Sequence, residues 1–338
     1  MHRFPLRLGA AALLIGLALP ATAQNAEPLT IYSGRNEELM APLIEQFTQT
    51  TGIPAQVLYA DTAPLANQIL EEGANSPADV FLSQDAGALG ALQMADQLAP
   101  LPEALLERVP AEFESSRGEW VGVSGRARVL VYNPQLVETL GLALPQSLLD
   151  LKQPAYRGLV GWAPANASFQ TSVTALRLLE GDAAAEAWLA GMVVNDAVSF
   201  GSSNTNLNAA VAAGEIPLGL TNHYYMYRLL AQDPEAQIAQ HYFQAGDPGS
   251  LVNVAGAGIL RTSDQPDDAL AFVEFLLSDV AQQYFADRTF EYPLVDGIIA
   301  NEALTPLDAL QHPEIDLSDL NDLQTTLDMI EQSGALDQ

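Results

Sequence analysis

The chain of 338 residues is 49% hydrophobic and 16% charged, has no cysteine, and carries a formal charge of −29. Its 42 acids face only 13 bases, among them a single lysine, Lys152, so a phosphate backbone is repelled and nucleic acid is excluded as a partner. The missing cysteines exclude disulfides, thiolate zinc sites, iron–sulfur clusters and a lipid-modified N-terminal cysteine.

The first segment reads as an address. Arg3 and Arg7 precede an apolar stretch from Leu8 to Leu19, and Ala21-Thr22-Ala23 supplies the small residues a signal peptidase needs. Met1 to Ala23 is therefore expected to be a cleaved secretory signal, too short in its apolar part to span a bilayer. Cleavage removes two arginines and no acid, so the exported chain is more acidic still. An acidic surface of this kind is expected to be solvated and to aid solubility.

From Pro28 onward, short strands alternate with amphipathic helices. Pro28 to Tyr32 alternates apolar and polar residues, and Leu39, Met40, Leu43, Ile44 and Phe47 recur at helical spacing up to Gly52. Ala55 to Tyr59 predicts a second strand, Leu65, Ile69 and Leu70 a second helix, and Asp79 to Leu82 a third strand, after which Asp85 is placed to cap a third helix. The pattern breaks between Pro100 and Glu119. Arg128 to Tyr132 predicts a strand, and alternation resumes from Arg157 to about Leu230. Strands are expected at Tyr242-Phe243 and Val252 to Leu260, helices at Pro266 to Leu277 and near Leu320 to Gln332. The succession implies α/β lobes, each a mostly parallel sheet flanked by helices. No flexible linker separates them, so the chain is expected to cross between lobes more than once, with function in the cleft.

Motifs for catalysis are missing. His223, His241 and His312 are isolated, and no HExxH, GxSxG, Walker or GxGxxG pattern stands in its structural context. The expectation is a binding protein and not an enzyme. The unusual feature is Thr221-Asn222-His223-Tyr224-Tyr225-Met226-Tyr227, between a buried-looking strand and a helix. At a helix start, adjacent side chains diverge by about 100°, so both hydroxyls can reach one point beyond the strand end. Such a pair reads either as aromatic packing or as two hard phenolate ligands for a hard cation such as Fe(III), bound in competition with phenolic protons. Asn166-Ala167-Ser168 opens the helix expected from Phe169 to Leu179, where backbone N–H groups suit an oxyanion.

Tyr32-Ser-Gly-Arg, Ser76-Pro-Ala-Asp-Val-Phe81, Ser124-Gly-Arg-Ala-Arg-Val-Leu-Val-Tyr132, Asn222-His-Tyr-Tyr225, Asp247-Pro-Gly249 and Glu291-Tyr-Pro293 occur in this order. Together they resemble the bacterial periplasmic ferric-iron-binding proteins, the substrate-binding components of Fe(III) ABC importers, from about Leu29 to Ile298. The resemblance implies a two-lobed type II periplasmic binding protein fold with crossing hinge strands. It implies Fe(III) as cargo, held by Tyr224 and Tyr225, and an inner-membrane permease and ATPase as partners of a periplasmic monomer. Asn166, Ala167 and Ser168 match the loop for a synergistic anion, and Asn204 and Asn222 match polar residues around it. Asn204 reads equally as a helix N-cap. Arg35 and Arg126 are expected to pair with the anion or to form salt bridges, and Tyr32 to donate toward the anion.

The chain departs from relatives at Asn36, where some have histidine, and at Gln84, where some have glutamate; Asp85, one place on, is a lesser ligand candidate. Two protein ligands leave four donor positions of a six-coordinate ion for carbonate, phosphate, citrate or water. The expected division is signal 1–23, an N-terminal lobe of 24–125 and 250–305, a C-terminal lobe of 126–249, and an acidic helical tail of 306–338. Two rival readings stay open: the same fold binding another anion or organic solute without iron, and an exported hydrolase.

Overall fold

A computed structural model describes residue 2 and residues 27–337; apart from His2, the proposed signal segment lies outside the described residues. Among the described residues there are nine strands: β1 (Leu29–Ser33), β2 (Ala55–Tyr59), β3 (Val80–Ser83), β4 (Val121–Tyr132), β5 (Val160–Trp162), β6 (Val198–Ser199), β7 (Leu218–Asn222), β8 (Ala239–His241) and β9 (Val252–Ile259). The helices are α1 (Glu37–Thr51), α2 (Thr62–Glu72), α3 (Ala86–Met94), α4 (Glu103–Leu106), α5 (Pro134–Leu140), α6 (Ala167–Glu180), α7 (Asp182–Val194), α8 (Asn204–Ala212), α9 (His223–Gln232), α10 (Pro266–Leu276), α11 (Asp279–Tyr284) and α12 (Leu323–Gln332). Local chemistry sets their ends. Asn36 Oδ1 accepts from the Glu38 N–H to start α1, and Gly52 ends it with φ 78°, a left-handed turn that glycine adopts without steric cost.

The strand order β2-β1-β3-β9-β4-β7-β5-β6 places two parallel trios, β2-β1-β3 and β7-β5-β6, on either side of a central antiparallel pair. That pair is the crossing. From Val121 to Ala127, β4 pairs with β9; from Arg128 to Tyr132 it pairs with β7, with β8 beside it. Arg128–Tyr132 is thus only the second half of a strand of 12 residues. Ser124, Gly125 and Arg126, expected to precede that strand, lie inside it. The strand expected at Tyr242-Phe243 lies earlier, at β8.

Separate apolar cores support the two halves. One gathers Ile31, Phe47, Phe81, Trp120, Val254 and Phe272, all essentially buried. Phe47 meets the edge of Phe272 at 5.1 Å; burying one such ring contributes about 1.5–3 kcal/mol. The other half is built on Trp162, Phe169, Trp188 and Leu218, with a smaller cluster around Val129, Leu207 and Val211. The segment after residue 305 is threaded through both. Leu317, Leu320 and Leu323 join the first core, while Met329, Ile330 and Ala335 join the second. A Cβ on Gly90 of α3 would stand 2.9 Å from Asn321 Cβ, so glycine there lets the tail lie against the helix. On the other side Arg177 of α6 donates to Thr326 Oγ1 at 2.9 Å and pairs with Asp322 at 2.7 Å.

Candidate functional site

The strand ends and helix starts of the two halves enclose a cleft of about 570 Å³. Arg35, Asn36 and Gln84 line it from one side, Asn166, Asn204 and Tyr225 from the other. Gln84 Nε2 donates to Ser168 Oγ at 3.1 Å and Arg228 lies 3.4 Å from Glu38 Oε1, so polar contacts already link the walls.

Tyr224 and Tyr225 are the second and third residues of α9, immediately beyond the end of β7. Their rings lie side by side, centroids 4.3 Å apart and planes inclined by 30°. Tyr225 lines the cleft, and Tyr224 lies beneath it, 2% exposed. Burial, reinforced by Tyr224, pushes the Tyr225 phenol well above its ordinary range; Arg126 and Asn204 act in the opposite direction. Two neutral phenols can share this site, but two bare phenolates would repel strongly, so double ionisation requires a cation between them. Among the described residues no group of three or more His, Asp or Glu side chains could hold a metal ion.

Three buried arginines surround the pair. Arg35 Nη2 donates to Glu291 Oε2 at 2.8 Å, and its Nη1 donates to Ser124 Oγ. Ser124 Oγ and Thr289 Oγ1 donate in turn to the same carboxylate oxygen. Of the two roles open to Arg35, the structure therefore shows the salt bridge. Burial alone pushes the Glu291 carboxyl up, but Arg35, Arg126 and the Thr289 hydroxyl together hold it below its ordinary value. Arg128 Nη1 donates to Asn222 Oδ1 at 3.1 Å; burial lowers its guanidinium to about 10, against the favourable effect of the two tyrosines. Arg126 differs from both. None of its three guanidinium nitrogens has a hydrogen-bond partner, and Glu291 Oε1 approaches only to 3.9 Å. A buried guanidinium with five unused donors is a strong anion receptor.

The remaining predicted residues fall into two groups. Asn204 is buried with neither side-chain polar atom hydrogen-bonded. It does not cap α8: Ser203 does, accepting from the Asn206 N–H, so Asn204 is left facing the cleft. Asn222 Oδ1 is taken by Arg128, which fixes Nδ2 as the donor to Ser168 Oγ at 3.1 Å. Ser168 thus accepts from both Asn222 and Gln84 and keeps only its own hydroxyl proton to give. Asn166 caps α6 by accepting from the Ser168 N–H, so the helix start is less open to an oxyanion than its position in sequence implies; Ala167 lines a neighbouring pocket of about 280 Å³. Asn36 caps α1 at the rim of the cleft, and Asp85 caps α3, its Oδ1 accepting from Gly87 and Ala88 while its buried Oδ2 has no hydrogen-bond partner. Tyr32 requires correction. Its hydroxyl donates to Glu72 Oε1 and accepts from Gln68 Nε2, because β1 turns that ring toward α2 and away from the cleft.

Residues 32–283 match the family of bacterial extracellular solute-binding proteins. The Fe(3+)-binding periplasmic protein of Serratia marcescens is 34% identical over 97% of this chain and 98% of its own length. The crystal structure of iron-bound HitA from Pseudomonas aeruginosa superposes with a TM-score of 0.86 at 35% identity, covering 91% of this chain and 99% of that one. The Trichodesmium protein IdiA (FutA), in complex with iron and citrate ligands, gives 0.74 at 30% identity over 91% and 99%. The chain is a bacterial extracellular solute-binding protein of the periplasmic ferric-iron-binding family. Its relatives bind solutes and are not a family of enzymes, and no helix among its described residues is long and apolar enough to cross a membrane.

Three features of this solute-binding protein escape sequence reasoning. Glu291 is one of 42 acids, and only its position in the Glu291-Tyr-Pro293 landmark could have marked it. Tyr59, marked in the sequence only as the end of the second strand, lines the cleft. His223 is fully buried: its Nδ1 accepts from the Ala127 N–H at 3.1 Å and its Nε2 lies 2.8 Å from Phe290 O. Burial lowers the imidazole from 6.5 to about 4, outweighing the attraction of Glu291. Between those values the unfolded chain takes up a proton that the native protein refuses, so native stability falls as pH drops from 6.5 toward 4. The full shift corresponds to about 3 kcal/mol. Urea unfolding of the apo protein at pH 7 and pH 4.5 measures it, and His223→Gln is expected to flatten the dependence; an unchanged slope in that variant contradicts the assignment.

Proposed function

We propose that this protein captures Fe(III) in the cleft through the phenolate oxygens of Tyr224 and Tyr225, with an exogenous anion completing the coordination shell. The observation that carries the reading is the side-by-side pair of phenols next to a buried guanidinium, Arg126, that lacks any hydrogen-bond partner. A trivalent cation on two phenolates, set among Arg35, Arg126 and Arg128 with Glu291 and Asp85 opposing them, leaves the site with positive charge in excess. Carbonate, phosphate or citrate corrects that excess and supplies donors the protein lacks. Arg126 and Asn204 receive the anion, and Asn222 with Ser168 orients its neighbours. No bond in the cargo is made or broken.

The lobes divide near the point where β4 changes partners, between Ala127 and Arg128, so that residues 24–125 with 250–305 form one lobe and 126–249 the other. Iron and anion bridge the lobes, and the closed surface is what an inner-membrane permease and its ATPase recognise. The protein reaches the periplasm through removal of Met1 to Ala23 and works as a monomer without a lipid anchor.

The test is uptake of ferric nitrilotriacetate in buffer stripped of carbonate, phosphate and citrate. The expected phenolate-to-iron charge-transfer band is weak until one of these anions is added; an undiminished band without them removes the co-ligand. The orphaned Arg126 also fits a second reading, an anionic solute bound without iron. A thermal upshift with phosphate and no colour with any ferric source would favour it.

A further inference from the structure

His223 stands between the tyrosine pair and the hinge, and the reading above gives it no role. At Ala127, β4 is making its last contact with β9, opposite Val252, and at Arg128 it takes up β7, opposite Asn222. The His223 ring fills this changeover. Ala127 donates its N–H to Nδ1 at 3.1 Å, which places the ring proton on Nε2, and Nε2–H then donates to the Phe290 carbonyl at 2.8 Å. Phe290 has φ 57°, a left-handed backbone rarely adopted outside glycine, and such strain persists only where the surroundings hold it. The ring also stacks on Tyr292 at 4.7 Å and meets the Tyr224 ring edge-on at 5.7 Å. Tyr292 is in turn tied to β4, its N–H donating to Gly125 O at 2.9 Å. One side chain thus joins the first turn of α9, the changeover point of β4 and the strained segment after α11.

We propose that His223 is a positioning residue for metal capture, locking the start of α9 to the Phe290 carbonyl so that both phenols are presented to one ion. A neutral ring with one donor and one acceptor matches two backbone groups of fixed direction, and a residue adjacent to the pair transmits that direction to it. The proposal rests on the ferric reading of the cleft.

Three variants separate the bonds. His223→Phe keeps a flat ring and loses both nitrogens. His223→Gln places an amide nitrogen near Nε2 and can restore the donation to Phe290. His223→Asn offers an oxygen near Nδ1 but does not reach Phe290. The readouts are the position of the ferric charge-transfer band and the rate of iron loss to excess nitrilotriacetate, with the apo melting temperature as a folding control. Loss of such a supporting hydrogen bond is expected to speed iron release about tenfold to a hundredfold in His223→Phe and to move the band, with both restored toward the parent in His223→Gln. If His223→Phe does not fold, His223→Asn takes its place in the comparison. A variant without the Phe290 bond that melts lower yet keeps the parental band and release rate makes His223 a packing residue and overturns the proposal. A parent protein that shows no ferric band at all overturns the ferric reading itself, and this proposal with it.

Discussion

Tyr224→Phe/Tyr225→Phe is expected to take up no ferric iron and to stay colourless at concentrations where the parent protein is coloured. Phenylalanine keeps the ring packing at 4.3 Å centroid separation and removes only the two oxygens, so a folded protein with an empty site is the predicted product. Tyr224 is 2% exposed; deleting a buried hydroxyl that depends chiefly on its neighbour for partnership changes stability by about 1 kcal/mol or less. The effect on binding is far larger. Losing a residue that merely supports a ligand costs about 10–100-fold in metal affinity; in the proposed site each phenolate is itself a ligand, so each single variant is expected to exceed that range. Tyr225→Phe removes the phenol that lines the cleft and should be the more damaging of the two. Titration with ferric nitrilotriacetate, followed by charge-transfer absorbance and by bound metal, decides the matter. A double variant that binds one iron per chain with parental colour would falsify the phenolate assignment.

The second large effect concerns stability. Glu291 is fully buried and accepts from Arg35 Nη2, Ser124 Oγ and Thr289 Oγ1, with Arg126 Nε at 3.9 Å from its other oxygen. Glu291→Gln keeps the shape and removes the carboxylate charge that faces both guanidinium groups. Breaking a buried pair from one side costs about 3–5 kcal/mol, because the remaining charge stays desolvated. Urea unfolding of the apo protein should show that loss, and Arg35→Met/Glu291→Leu should recover the part that belongs to the Arg35 pair, since removing both of those charges also removes their desolvation penalty while Arg126 still lacks Glu291. A Glu291→Gln protein within about 1 kcal/mol of the parent would mean that water or relaxation reaches this site. Anion binding sharpens the contrast: an anion against Arg126 replaces some of the lost negative charge, so added phosphate should narrow the stability gap between Glu291→Gln and the parent.

Among the predicted elements, agreement follows locality. The helices at Glu37–Thr51, Pro266–Leu276 and Leu323–Gln332 coincide with stretches whose apolar spacing was already helical, and Asp85 caps α3 as its place after β3 implies. Misreadings cluster at the crossing. Val121 to Ala127 contains two glycines, a serine and one arginine in a run without alternation, since a strand buried on both faces carries no period of two. Asn204 illustrates a finer failure: Ser203 and Asn204 are both good caps, and one residue of register decides which is spent on the helix and which faces the cleft. Tyr32 failed for another reason. Alternation says that neighbours on β1 point to opposite faces, but not which face looks onto Glu72.

The order of most strands and helices and the tyrosine pair at a helix start were written in the sequence, because hydrophobic period, caps and adjacency act over a few residues. What surrounds that pair was decided by tertiary structure. Arg35 meets Glu291 across a separation of 256 residues, Arg126 is left with no hydrogen-bond partner, His223 joins two backbone segments, and the acidic tail is divided between two cores. Each of these depends on which distant segments the crossing strands bring together. Burial then converts that proximity into chemistry, by removing the water that would otherwise satisfy every one of these groups.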